Sequence, residues 1–152
     1  MIIHLDNTRL EIGIQIRSLF QVSYKIEAAL LKADDFPPLK RPLNDFLNCK
    51  NEFFGYVKNK DVVAIVELKH SNSNSHVQSL VVHPNYFRQG FGKRLMQFVI
   101  KKVTTNTITV ETGFENFPAR QLYKSLNFSE KGNYNTVFGI RKIKFILQKE
   151  LK

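Results

Sequence analysis

The stretch that most constrains this chain is Leu80-Val81-Val82-His83-Pro84-Asn85-Tyr86-Phe87-Arg88-Gln89-Gly90-Phe91-Gly92-Lys93-Arg94-Leu95, where an apolar alternation passes through a turn holding two glycines into a helical repeat. The alternation over His76 to His83 predicts a strand that ends at Pro84. From Gly90 to Val103, Phe91, Leu95, Phe98 and Val99 share one helical face, with Lys93, Arg94, Lys101 and Lys102 elsewhere. A turn of this kind suits a diphosphate. Its glycines let backbone approach an anion, and the helix start offers unpaired N–H groups at the positive end of the helix dipole. A dinucleotide fold would add a third glycine, but Lys93, Arg94 and Leu95 follow Gly92.

The rest of the chain alternates between the two periods. Met1 to Leu5 can open a sheet, and Leu10 to Leu31 reads as helix on Ile12, Ile16, Leu19, Phe20 and Leu30. Asp34-Asp35-Phe36-Pro37-Pro38 stops it, and a short helix is expected from Leu43 to Cys49. Phe53 to Lys58 and Asp61 to Lys69 form a hairpin about Asn59-Lys60, and Ser71 to Ser75 is expected as an exposed loop. Thr107 to Glu111 is a strand. Asn116 caps a helix over Phe117 to Leu126 with Pro118 in its first turn. Ile143, Phe145 and Leu147 alternate in a last strand, so the expectation is a mixed α/β single domain over residues 1–152.

Composition narrows the function. Cys49 is the only cysteine, which excludes an intrachain disulfide and a thiolate-rich zinc site; it reads as a packing residue. No apolar stretch is long enough to span a bilayer and Met1 to Leu10 lacks a secretory pattern, so a cytoplasmic protein without membrane is expected. The formal charge of +10 invites a polyanion, but the basic residues are scattered in pairs. Basic and aromatic residues do not interleave as in single-strand binders, and tryptophan is absent, so a nucleic-acid partner is not expected.

The strand, Pro84 and Arg88-Gln89-Gly90-Phe91-Gly92 before an amphipathic helix resemble the acetyl-CoA loop of the GNAT superfamily. Asn116, Ala119, Leu122 and Tyr123, followed by Leu126-Asn127-Phe128, resemble the family's second motif on a helix leading into a strand. Two positions depart. The loop usually opens with Gln or Arg where this chain has Phe87, and a usual Gly before the final Phe is Asn127, which tolerates the left-handed conformation.

The resemblance implies a GNAT fold: a mixed, mostly antiparallel sheet of six to seven strands with about four helices and a splayed strand pair that holds the cofactor. It implies an N-acetyltransferase that uses acetyl-CoA as co-substrate and acts on an amine-bearing small molecule or peptide by direct transfer in a ternary complex. No metal is required. A homodimer is compatible with it, and coenzyme A, itself polyanionic, accounts for part of the basicity.

By the same resemblance, Leu80, Val81 and Val82 would meet the pantetheine arm, and Phe87, Arg88, Gln89, Gly90, Phe91, Gly92 and Lys93 the diphosphate, with Asn116, Ala119 and Tyr123 completing the cofactor site. Tyr123 looks like the general acid for the departing thiolate; read by itself it is a tyrosine packing a helix on a sheet. His76 is the first candidate base, placed by alternation on one face with Gln78, Leu80 and Val82. Glu67 and Glu111 are alternatives, each otherwise a surface carboxylate. Arg17, Tyr24 and the Asp34 to Leu39 loop, with Thr136 to Arg141 opposite, are candidate acceptor walls. Two other readings stay open: a non-catalytic acyl-CoA-binding or sensing domain, and an RNA-associated basic domain.

Overall fold

In the computed structural model, which describes residues 1–149, the alternating segments assemble into one seven-stranded sheet. The last three residues of the expected 1–152 domain lie outside the described residues. In chain order the elements are β1 (Ile2–Leu5), α1 (Leu10–Leu30), α2 (Leu43–Asn48), β2 (Glu52–Lys58), β3 (Asp61–His70), β4 (Asn74–Val82), α3 (Phe91–Lys102), β5 (Thr107–Gly113), α4 (Phe117–Ser125), β6 (Ser129–Asn135) and β7 (Arg141–Gln148). Single turns of 3₁₀ helix cover Pro37–Lys40 and Pro84–Tyr86. The strand order is β1-β2-β3-β4-β5-β7-β6, antiparallel except where β4 lies parallel to β5.

Helices cover both faces of this sheet, which is why β3 carries an unbroken apolar run, Val62 to Val66, rather than an alternation. On one face α3 and α4 pack Phe91, Leu95, Met96, Val99 and Tyr123 against Val66, Leu68, Val110 and Phe145. On the other, α1 and α2 bring Ile16, Leu19, Phe20 and Phe46 onto Phe53, Ile65 and Val81. Phe20 and Phe46 meet edge to face at 5.1 Å. The β2–β3 turn has Asn59 and Lys60 at φ 51° and 70°, the two positive angles a tight right-twisting hairpin needs. β6 is exposed throughout and charged, which protects the sheet's free edge.

Two expectations change. The exposed loop is shorter than Ser71 to Ser75, because β4 already begins at Asn74 and Ser75 is buried, its hydroxyl bonded to Thr105 and His70. Glu67, expected at the surface, is 0% exposed. Its carboxylate takes both ends of the Arg41 guanidinium at 2.7 and 2.8 Å and an Asn51 amide at 2.8 Å. Arg41 lies over the Phe46 ring at 4.0 Å and also binds Asp45, so this buried pair staples the α1–α2 connection to β3.

Candidate active site

The site is built by an interruption in the sheet. β4 and β5 pair only from Asn74↔Thr107 to Val77↔Val110, and beyond that point they part. At the same level the β3–β4 register slips, with Leu68 opposite Val77 but Glu67 opposite Ser79, so Gln78 is an extra residue in β4. A bulge of this kind bends its strand and reverses the alternation that follows it.

That reversal corrects the expected placing of His76. Counting by twos puts it with Leu80 and Val82; in the structure Leu80 and Val82 pack on the α3 side, together with Val77. His76 therefore points to the α1 face, where its Nδ1 meets the Thr109 hydroxyl at 2.8 Å. Burial lowers its pKa; Glu111 opposes the shift, and Lys69, Lys142 and Lys144 reinforce it. It faces a cavity of about 390 Å³ shared with Thr109, Glu111, Lys131, Tyr134 and Lys144.

The edge of β4 that parts from β5 carries free backbone. The His83 amide donates to Val63 of β3 at 2.8 Å, so by strand alternation the amides of Leu80 and Val82 point the other way, into the gap. Val81 differs from its two neighbours. Its backbone faces β3 opposite Ile65 and its side chain is in the α1-side core.

The turn after β4 ends beside this gap. Arg88 and Gly90 both adopt positive φ, 61° and 82°, and Gly90 is the residue that opens α3. Among the described residues none of the backbone amides from Arg88 to Lys93 donates a hydrogen bond, and no side chain caps the helix. Six donors stay together at the positive end of a helix. Phe91 contributes only its amide, since its ring is buried between Tyr56 and Tyr86; Phe87, Arg88, Gln89 and Lys93 are exposed. A Cβ on Gly92 would touch Leu122, Val82 and Leu80 at ordinary distances of 3.7 to 3.8 Å.

Tyr123 is held from both ends of α4. At the start, Asn116 Oδ1 accepts the Ala119 amide at 3.2 Å. At the end Asn127 is left-handed at φ 69°, and the amides of Asn127 and Phe128 return to the carbonyls of Lys124 and Tyr123, both at 3.0 Å. This places the Phe128 ring 5.8 Å from that of Tyr123, which also packs on Phe145 at 5.6 Å. Burial pushes the Tyr123 phenol well above its ordinary pKa, with Glu27 and Tyr24 adding to the shift, so its proton stays on.

Glu27 is the residue that sequence reasoning missed. It sits on the inner stripe of α1 formed by Phe20, Tyr24 and Glu27, continued by Leu31 just past the helix end, and a carboxylate on an otherwise apolar stripe is the signal that could have found it. Its Oε1 accepts from Asn116 Nδ2 at 3.0 Å. Burial raises its pKa, and Asn116, Lys142 and Thr112 act against that rise.

Glu27 lines a cavity of about 470 Å³ together with Tyr24, Phe36, Ser79, Glu111, Thr136 and Lys142, among others; His76, Tyr123 and the Arg88 to Lys93 turn are not part of its lining. Tyr24, the Phe36 to Pro38 segment and Thr136 to Ile140 thus meet as walls. Arg17 is exposed and takes no part in them. Glu67 lies behind, spent on Arg41. Cys49 is half-buried beside Phe46 and Asn7, a packing residue as expected.

Residues 15–128 match the model of the Acetyltransferase (GNAT) family. Over its whole length the chain superposes on the ribosomal-protein-S18-alanine N-acetyltransferase of Escherichia coli, with a TM-score of 0.77 and 23% identity, covering 95% of that protein. It superposes similarly on the yncA protein of Salmonella typhimurium, solved with acetyl-CoA, with a TM-score of 0.75, 14% identity, and 100% and 95% of the two chains covered. At such identities the likeness is one of fold. The chain is also 28% identical to the UPF0157 protein YqkA of Bacillus subtilis over 99% of its length but 47% of that protein's, so it spans about half the length of this curated relative.

Proposed function

Because the chain belongs to the GNAT acetyltransferase family, we propose that it transfers an acetyl group from acetyl-CoA to a primary amine, directly, in a ternary complex. The observation that carries this reading is the set of unbonded amides from Arg88 to Lys93 beside the open edge of β4. Acetyl-CoA fits that arrangement: the turn would hold its diphosphate, and the outward backbone of Leu80 and Val82 would pair with its pantetheine arm as an added strand does. Residues 1–152 are read as one such domain, working in the cytoplasm. Among the described residues no helix is long and apolar enough to cross a membrane.

The co-substrate supplies the thioester whose carbonyl the amine attacks. The Val82 amide, directed into the gap, is suited to receive the negative charge that develops on the carbonyl oxygen. Tyr123, kept protonated by burial, gives its proton to the sulfur as the C–S bond breaks. Glu111, which lines the acceptor cavity, accepts the proton the amine loses. His76 is the next titratable group beyond it, sharing the neighbouring cavity with Glu111 and held neutral by its lowered pKa. Asn116 and Ala119 act by fixing α4, and so Tyr123.

Incubation with acetyl-CoA and a panel of amines, read by mass spectrometry, tests transfer; calorimetry with coenzyme A tests the site. Acetylated product from the wild type and far less from Tyr123→Phe is the expected result. Coenzyme A binding without product from any amine would favour a sensing domain. No heat and no thermal shift at millimolar coenzyme A would overturn the reading altogether.

A further inference from the structure

The acceptor cavity holds a carboxylate for which the transfer chemistry has no use. Glu111 enters from β5, and Glu27 enters from α1, the opposite wall. Glu27 takes one hydrogen bond, from Asn116 Nδ2 at 3.0 Å. A carboxylate has about four acceptor sites, so capacity remains on the cavity side. The rings of Phe20, Tyr24 and Phe36 stand next to it, Tyr24 edge to face with each at 5.7 and 5.8 Å, and aromatic surroundings favour a cation.

The charge balance of this wall agrees. Arg41 is consumed by Glu67 and Asp45, and Glu111 has Lys144 at 3.7 Å and the Tyr134 hydroxyl at 3.1 Å. Lys142 faces Glu27 and offsets part of its charge. The cavity wall itself carries two carboxylates, Glu27 and Glu111, and two basic side chains, Arg41 and Lys142, of which Arg41 is already engaged by Glu67 and Asp45 behind it. A carboxylate with free acceptor capacity beside aromatic rings is a site that suits an ammonium group. The reacting amine must give up its proton before it attacks, so it cannot be the cation that stays beside Glu27.

We propose that Glu27 anchors a second ammonium group of the acceptor, and that the chain therefore prefers molecules with two amino groups on an aliphatic spacer. This rests on the acetyl-transfer reading for what happens to the other amine, but the anchoring itself is a binding property. Glu27→Gln keeps the size of the side chain and an oxygen for Asn116 while removing the charge.

The test compares 1,5-diaminopentane with pentylamine, which differ only in the second ammonium, by calorimetry on the wild type and on Glu27→Gln, each with and without saturating coenzyme A. The expected result is a loss of about tenfold or more in diamine affinity on substitution, with pentylamine changed by less than about threefold. A wild type that does not distinguish the amines by more than the variant does, or a substitution that weakens both equally, overturns the proposal. The coenzyme A titration reads the transfer hypothesis separately. Diamine selectivity without coenzyme A binding would keep the Glu27 site and remove acetyl transfer, and the opposite pattern would do the reverse.

Discussion

Asn116 joins two helices through one side chain: its Nδ2 donates to Glu27 Oε1 at 3.0 Å, 89 residues away, while its Oδ1 caps α4 by accepting the Ala119 amide at 3.2 Å. The cavity wall that holds Glu27 and the helix that carries Tyr123 are thereby held in one geometry.

Asn116→Ala removes both bonds. The cap alone is worth about 1 kcal/mol, and the unpartnered Glu27 carboxylate adds to the loss. Denaturant unfolding should show a stability decrease of about 1 to 2 kcal/mol, with the thermal midpoint falling by about 3 °C per kcal/mol at this chain length. An unchanged midpoint would mean that the two bonds contribute nothing to the fold.

Glu27 gives stability a pH dependence of definite sign. Its folded pKa lies above the unfolded value, so between the two the native state binds more protons and stability falls as pH rises. The favourable contribution is fully present below the unfolded pKa and is lost as pH passes through the raised one. Glu27→Gln should flatten that limb of the stability curve, gaining relative to wild type toward neutral pH. Parallel curves for the two proteins would contradict the burial of the charge.

Tyr123→Phe deletes one hydroxyl from a ring packed on Phe128 and Phe145 and should leave the fold intact. Turnover is expected to drop about 100-fold or more with coenzyme A affinity nearly unchanged. Steady-state rates together with a binding isotherm separate the two quantities. Unchanged turnover would remove Tyr123 from the chemistry.

Gly92→Glu separates cofactor binding from stability. The space at Gly92 admits a Cβ at ordinary contact distances, and an acid in the first turn of α3 suits the helix dipole. Thermal stability should hold or rise slightly, while repulsion of the diphosphate lowers coenzyme A affinity by about 100-fold. Retained affinity would place the diphosphate somewhere other than this turn.

Much of this was legible in the chain itself. The hairpin at Asn59-Lys60, the helix stop before Pro37, the Asn116 cap and the left-handed Asn127 are all decided by neighbours a few positions away, and all appear where the residues predict them. The free amides of the turn were likewise readable, because the two glycines and the lack of a capping side chain are local facts. His76 was misplaced because the Gln78 bulge belongs to the pairing of β4 with β3, and a single strand's alternation carries no trace of it. The burial of Glu67 is invisible in the chain because its partners Arg41 and Asn51, which make that burial tolerable, lie 26 and 16 residues away.

What the sequence determined alone is therefore most of the elements, the two-glycine turn and the helix bearing Tyr123, since backbone propensity, side-chain period and capping act within a turn or two of chain; β6 was not among them. Tertiary structure decided the rest. The parting of β4 from β5, the face on which His76 stands and the meeting of Glu27 with Asn116 arise from packing between segments far apart in sequence, where burial, register and charge compensation are settled together.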